Sequence, residues 1–297
     1  MPLLAPKALI FTTELSGEVR ILAFEEVDSL TSGNHSYTCY DLVSDDDLIA
    51  DVAAIVRDLY VDDLALQASL RTAAQGLNNV CDESAITAAI DTIADAVIPQ
   101  LNREAKQPLH LQVPRNEVAE VLALYVLEHI HRFEVPAARI RNKEVPGLPS
   151  RGLDVLGLTS DRAAVLTEVK ASSATASPPP VVHTATDSML AETLRRLNDR
   201  KSLIAELYWA LKHAKEQSHD HVAEAILLYA LPNAPVPQVA PVLVRAAGTY
   251  KVTDYGKFQS PTIEFGESPI RFVVVRLPGA LEDFAELVYA KAAEQVA

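Results

Sequence analysis

Two short segments carry the residue types that phosphoryl chemistry requires. Gly152-Leu153-Asp154-Val155-Leu156-Gly157-Leu158 is followed, after a four-residue turn, by Ala163-Ala164-Val165-Leu166-Thr167-Glu168-Val169-Lys170. Side chains alternate faces along a strand, so Glu168 and Lys170 share one surface while Val169 points to the other. If residues 151–159 and 163–171 form an antiparallel hairpin, Asp154 falls opposite the region of Glu168, within reach of a shared ion. Two carboxylates and one ammonium then make a single cluster. Magnesium takes oxygen ligands, commonly one or two carboxylates completed by waters and substrate phosphate oxygens. A lysine beside it can position or deprotonate an attacking water and offset the charge that grows on phosphoryl oxygens. The alternative without function is a surface ion pair between Glu168 and Lys170, worth at most about 1 kcal/mol. The apolar neighbours Leu153, Val155, Val165 and Leu166 argue against it, because a carboxylate in an apolar setting is costly without a compensating partner.

The elements that must position this cluster are readable on both sides of it. Residues 115–133 predict an amphipathic helix with Val118, Val121, Leu122, Tyr125, Val126 and His129 on one face. Strands are predicted at 137–145, 151–159 and 163–171, separated by Pro146-Gly147-Leu148-Pro149 and Thr159-Ser160-Asp161-Arg162. The small-residue and proline tract 172–180 reads as a flexible loop, 187–217 as a long helix and 222–231 as a buried strand ahead of the proline-rich 232–241. A strand at 270–277 and a helix at 281–296 follow. Earlier in the chain, residues 18–27 predict one or two strands. Three helices should open at Ser44-Asp45-Asp46-Asp47, at Asp62-Asp63 and at Asp82-Glu83-Ser84, the last stopped by Pro99.

The 297 residues are 49% hydrophobic with 18 prolines, a composition for a soluble globular chain of one or two domains. No apolar run approaches the roughly 20 residues that cross a bilayer, so no membrane association and a cytoplasmic location are expected. Cys39 and Cys81 are too few for a disulfide framework or a four-thiolate zinc site. The net charge of -14 argues at first against binding nucleic acid. The distribution of that charge weakens the objection, because residues 1–99 hold 17 acids against 4 bases and the remainder is nearly neutral. The chain therefore divides into an acidic, mostly helical region at 1–110, with one or two early strands, and a chemistry-bearing α/β domain at 111–297.

The spacing of Asp154, Glu168 and Lys170 resembles the active site of the PD-(D/E)xK nuclease superfamily, whose core runs helix, three strands, helix, strand. Helix 115–133, the three strands, helix 187–217 and strand 223–231 occur in that order. The resemblance implies a restriction-endonuclease-like core, a mixed sheet flanked by helices. It implies that Asp154 and Glu168 hold Mg²⁺, with Mn²⁺ able to substitute, that Lys170 is the catalytic lysine, and that the main-chain carbonyl of Val169 adds a ligand. Many members add a glutamate from the first helix. Glu128 is the candidate, ~70° from the centre of the apolar stripe at ~100° per residue, with Glu117 and Glu120 as fallbacks. No proline immediately precedes Asp154, a position that varies across the superfamily. In layout and length the chain is similar to the HamA nuclease subunits of Hachiman anti-phage systems, which implies a DNA-cleaving effector held in check by a partner helicase. A free-standing restriction or repair nuclease fits the same core. A non-catalytic interaction subunit that keeps the fold is the rival from another class.

Basic residues fit a surface for the phosphate backbone: Arg139, Arg141, Lys143 and Arg151 by the first two strands, and Arg195, Arg196, Arg200 and Lys201 in the long helix. A solvated face balanced by Glu192 and Asp199 explains the second group equally well. No helix-turn-helix, zinc finger or glycine-rich phosphate loop is present to read sequence. His219-Asp220-His221 and the pair His129 and His131 lack further ligands at zinc spacing, and His183 is isolated from any nucleophile elbow.

Overall fold

β-Branched and aromatic residues recur through the first described segment, which forms the strands Ala8–Leu15 (β1), Glu18–Ser32 (β2) and His35–Leu42 (β3), paired antiparallel in that order. The computed structural model describes residues 8–15, 18–44, 46–60, 84, 85, 88, 114–142, 152–261 and 263–294. Helix Leu48–Tyr60 (α1) follows the acidic residues expected to open it, with Val52, Ile55 and Val56 buried. The helix expected at Asp62 lies outside the described residues; of that expected at Asp82, Ser84, Ala85 and Ala88 are described, and all three are helical.

Helix Pro114–Tyr125 (α2) starts on a proline, whose missing N–H costs nothing in a first turn. It continues into a π-helical turn, Val126–Ile130, before strand Glu134–Ala138 (β4). The strand predicted at 137–145 therefore begins and ends early. Its register slips between Glu134 and Ala137, around Pro136, and residues Arg139–Asn142 coil into a 3₁₀ turn. A proline cannot donate to a ladder and is accommodated here on an edge strand.

The predicted hairpin forms. Val155–Leu158 (β5) pairs antiparallel with Ala164–Thr167 (β6), Val155 opposite Thr167. Its turn closes through Thr159, whose N–H donates to the Ala163 carbonyl at 2.9 Å and whose hydroxyl accepts from the Ala163 N–H at 2.9 Å, while Arg162 takes a left-handed φ of 66°. The strand predicted at 163–171 breaks at Glu168. β6 lies in a four-stranded sheet ordered β4-β5-β6-β8, where β8 is Gln238–Val239, and Val169–Ser172 (β7) lies at the edge of a six-stranded sheet ordered β1-β2-β3-β10-β9-β7, where β9 is Val242–Ala246 and β10 is Arg271–Leu277.

Downstream come Pro180–His183 (α3), Met189–Leu197 (α4), Arg200–His213 (α5) and Glu216–Ala230 (α6). The long helix predicted at 187–217 is interrupted at Asn198-Asp199, where the Asp199 carboxylate accepts from the N–H groups of Lys201 and Ser202 and starts α5 afresh. Residues 222–231 form a helix for most of their length rather than the predicted strand. Val222, Ala225 and Tyr229 are buried at helical spacing while Leu227 is exposed, a period that a run apolar at all but Glu224 conceals. The next strands are Gln238–Val239 (β8) and Val242–Ala246 (β9), parallel to β6 and β7 respectively. Arg271–Leu277 (β10) and Leu281–Glu294 (α7) close the fold as predicted.

The result is an α/β fold of mixed sheets flanked by helices, in which strands from residues 8–42 and from 242–277 share one sheet. Val242, Val244, Val273 and Val275 turn one face of that sheet toward α1, α2 and α7, and Leu243, Phe272 and Val274 turn the other toward Val182, Met189, Tyr255 and Phe258. Leu156, Leu158, Ala164 and Leu166 of the smaller sheet pack on Leu203, Leu207, Val222 and Tyr229 of α5 and α6. No helix among the described residues is long and apolar enough to cross a membrane. The Tyr229 hydroxyl also accepts from the Ala164 N–H at 3.0 Å in this buried layer. Tyr229→Phe is expected to leave that N–H without a partner and to destabilise the chain by about 1–3 kcal/mol in urea unfolding. An unchanged midpoint would show that the bond contributes nothing.

Candidate metal centre

The hairpin register continues one step past its last pair, Val155 with Thr167, and so sets Asp154 beside Glu168. Glu168 is the one residue between β6 and β7, and its carbonyl accepts from the Val242 N–H at 3.0 Å. β8 and β9 pass between the two sheets alongside it, the Ala240 N–H donating to the Leu166 carbonyl at 2.8 Å. A carboxylate is thereby held where one strand leaves its first sheet.

Within this seam the Val169 N–H donates to Asp154 Oδ2 at 2.8 Å, and Lys170 Nζ lies 3.0 Å from Glu168 Oε1. The Glu168 side chain is 6% exposed, and its Oε2 is buried without a hydrogen-bond partner. Burial, reinforced by the neighbouring Asp154 charge, pushes the Glu168 carboxyl up to about 7, against the pull of Lys170 and Arg196. Burial likewise raises Asp154, opposed by the Val169 N–H, Lys170 and Arg196 and assisted by Glu192. Burial lowers the Lys170 ammonium, but Glu168, Asp154 and Asp187 outweigh it and the net shift is upward. Lys170 thus stays charged at neutral pH.

The pair fits a divalent cation. An orphaned buried carboxylate oxygen, a second carboxylate beside it and unfavourable charge in both are relieved together by a hard cation. Among the described residues, no group of three or more His, Cys, Asp and Glu is gathered to hold a metal, so water and substrate oxygens would complete the shell. Glu128 does not join the pair. It lies on the π-helical turn, where a rotation smaller than the ~100° per residue of an α-helix alters the face that the sequence periodicity assigns. Glu117 is engaged by the Tyr289 hydroxyl, and Glu120 lies in the same helix, α2. Val169 contributes its N–H to Asp154.

The basic residues are distributed differently from the expectation. Arg139 Nη2 lies 2.6 Å from Glu206 Oε2 and its guanidinium stacks 4.1 Å from the centre of the Trp209 ring. Arg196 is buried, donating to Glu206 Oε1 at 3.0 Å and to the Gly152 carbonyl at 2.6 Å. Arg200 donates to the carbonyls of Tyr229 and Leu231. These three guanidinium groups are occupied with internal partners because carbonyls and carboxylates in the helical layer require donors. Arg195 is 58% exposed, holds Glu192 at 2.6 Å and feels the charge of Glu168. Arg141 has only its backbone described, and Lys143 and Arg151 lie outside the described residues, as does Cys81. Cys39 is buried, and burial raises its thiol to about 12. His219 is exposed on α6, whereas His221 Nδ1 lies 2.8 Å from Glu134 Oε2.

Sequence reading missed Glu206 on α5 and Asp187 ahead of α4, the first bonded to the Leu153 N–H and the second acting on Lys170. It gave Glu192 only as a balance for Arg195 and Arg196, which it pairs with while also acting on Asp154. The tract 172–180, predicted to be flexible, is tied down. Arg245, fully buried on β9, donates to the carbonyls of Ala174 and Ala176 and lies 2.7 Å from the fully buried Asp254, while the hydroxyls of Ser177 and Thr253 are 2.5 Å apart.

No family model matches the chain, and no curated protein matches it.

The upward shift of Glu168 makes stability depend on pH. Its folded value, about 7, exceeds the ordinary 4.5, so the stability it contributes is fully present below pH 4.5 and is lost as pH rises through 7. Without divalent cation, urea unfolding of the native chain is expected to lose on the order of 2 to 3 kcal/mol relative to Glu168→Gln between pH 4.5 and 7.5. Parallel stability curves for the two proteins would contradict the shift.

Proposed function

We propose that the chain is a metal-dependent nuclease that hydrolyses DNA phosphodiester bonds, with Asp154 and Glu168 holding Mg²⁺ or Mn²⁺ and Lys170 serving the water and phosphate. The observation that carries this reading is the buried, unpartnered Glu168 Oε2 beside Asp154, with the Lys170 ammonium on the other oxygen of the same carboxylate. The order α2, β4, β5, β6–β7, α4–α5 supports a restriction-endonuclease-like core. With residues 222–231 helical for most of their length, β9 takes the place of the further strand.

A bound Mg²⁺ would supply Lewis acidity to the phosphoryl oxygen and to the attacking water. Lys170, held charged, orients that water and offsets negative charge on the phosphoryl oxygens as the new P–O bond forms and the P–O3′ bond breaks. The Val169 N–H fixes one oxygen of Asp154 and leaves the other for the cation. Arg195, exposed at the edge of the cluster, is suited to a flanking phosphate.

The layout similarity extends the proposal to an anti-phage effector restrained by a partner helicase, for which the acidic N-terminal region is a docking candidate. The test is incubation of the purified chain with supercoiled plasmid and linear DNA, with and without Mg²⁺ or Mn²⁺. Cleavage is expected to require the cation and to fall by ~10²–10⁴-fold in Glu168→Gln and Lys170→Ala, with circular dichroism unchanged. Undiminished cleavage in both variants would exclude the assigned site. If the isolated chain is silent and these variants leave its role in cells untouched, it is an interaction subunit.

A further inference from the structure

β5 begins at Val155, so the ladder whose register sets Asp154 beside Glu168 does not itself hold the Gly152–Leu153 peptide ahead of it. Two charged side chains do, braced by a third. Glu206 Oε1 accepts from the Leu153 N–H at 3.2 Å, and Arg196 Nη2 donates to the Gly152 carbonyl at 2.6 Å. Arg196 Nη1 is 3.0 Å from Glu206 Oε1, and Arg139 Nη2 is 2.6 Å from Glu206 Oε2. The single peptide group joining Gly152 to Leu153 is thus held at both ends, its carbonyl by α4 and its N–H by α5, with the 3₁₀ turn after β4 bracing Glu206. Gly152 permits the approach. Its φ is +115°, and a Cβ there would lie 2.3 Å from Arg139 Nε.

The side chains of Arg139, Glu206 and Arg196 are 15%, 12% and 7% exposed. Buried ion pairs bring little net stability over apolar residues of like volume, so the peptide group they grip is the informative part of this arrangement. Groups that orient metal ligands from behind commonly change metal affinity ~10- to 100-fold when replaced.

We propose that Glu206 is a positioning residue for the cation site: through Leu153 and, with Arg196, through Gly152, it aims the Asp154 carboxylate at Glu168. The proposal rests on the cation-binding reading of Asp154 and Glu168 and adds a residue that does not touch the ion.

Mn²⁺ binding to the full chain is measured by isothermal titration calorimetry, well below the melting temperature, for the native protein and for Asp154→Asn, Glu206→Gln and Arg196→Lys. Hydrogen exchange at the Leu153 amide is followed in parallel. Native binding that is lost in Asp154→Asn, with affinity reduced ~10- to 100-fold and faster Leu153 exchange in Glu206→Gln and Arg196→Lys, is the expected result. Absence of native binding, or full affinity in Asp154→Asn, overturns the cation reading itself. Loss in Asp154→Asn with affinity within about twofold of native and unchanged Leu153 exchange in Glu206→Gln overturns the positioning role alone. Should Glu206→Gln fail to fold, Arg196→Lys decides by the same two readouts.

Discussion

A strand that serves two sheets has to bend between them, and in this fold the bend falls on Glu168. β6 ends at Thr167 in the smaller sheet and β7 begins at Val169 in the larger. β8 and β9 make the same crossing beside them, so the parallel pairing continues through the seam and the bend has little room to move. The hairpin register then brings Asp154 to the same point. The carboxylate pair is a product of topology, and each layer of helices closes one side of it.

The seam carries an electrostatic cost that the fold leaves partly unrelieved. Two adjacent carboxylates share one ammonium, and one carboxylate oxygen has no partner. Other carboxylates among the described residues each have a guanidinium beside them: Asp41 with Arg276, Glu192 with Arg195, Asp254 with Arg245. Two buried carboxylates sharing one ammonium are the pattern that the proposed cation site would produce.

Much of the centre was legible in the chain itself. Asp154, Glu168 and Lys170 follow from strand alternation and a four-residue turn, both local rules. What escaped was set by distant partners. Residues 222–231 are apolar almost throughout, which suits a buried strand and a helix packed on a sheet equally, and only the burial of Val222, Ala225 and Tyr229 tells them apart. Arg139 and Arg196 look like phosphate contacts because a guanidinium in sequence does not announce its carboxylate, and Glu206 is far from Arg139 and one helix on from Arg196. The π-helical turn at Val126–Ile130 shifts Glu128 off the face that regular helical spacing gives it.

Arg245 and Asp254 are both fully enclosed, and they hold the segment leaving β7 against the 3₁₀ turns that follow β9. Losing either one alone strands a full charge where water does not reach, which is far more costly than replacing both. Over evolutionary time these two positions can therefore drift only together. In related chains they are expected to appear either as this ion pair or as two apolar residues of matching volume, with mixed combinations selected out.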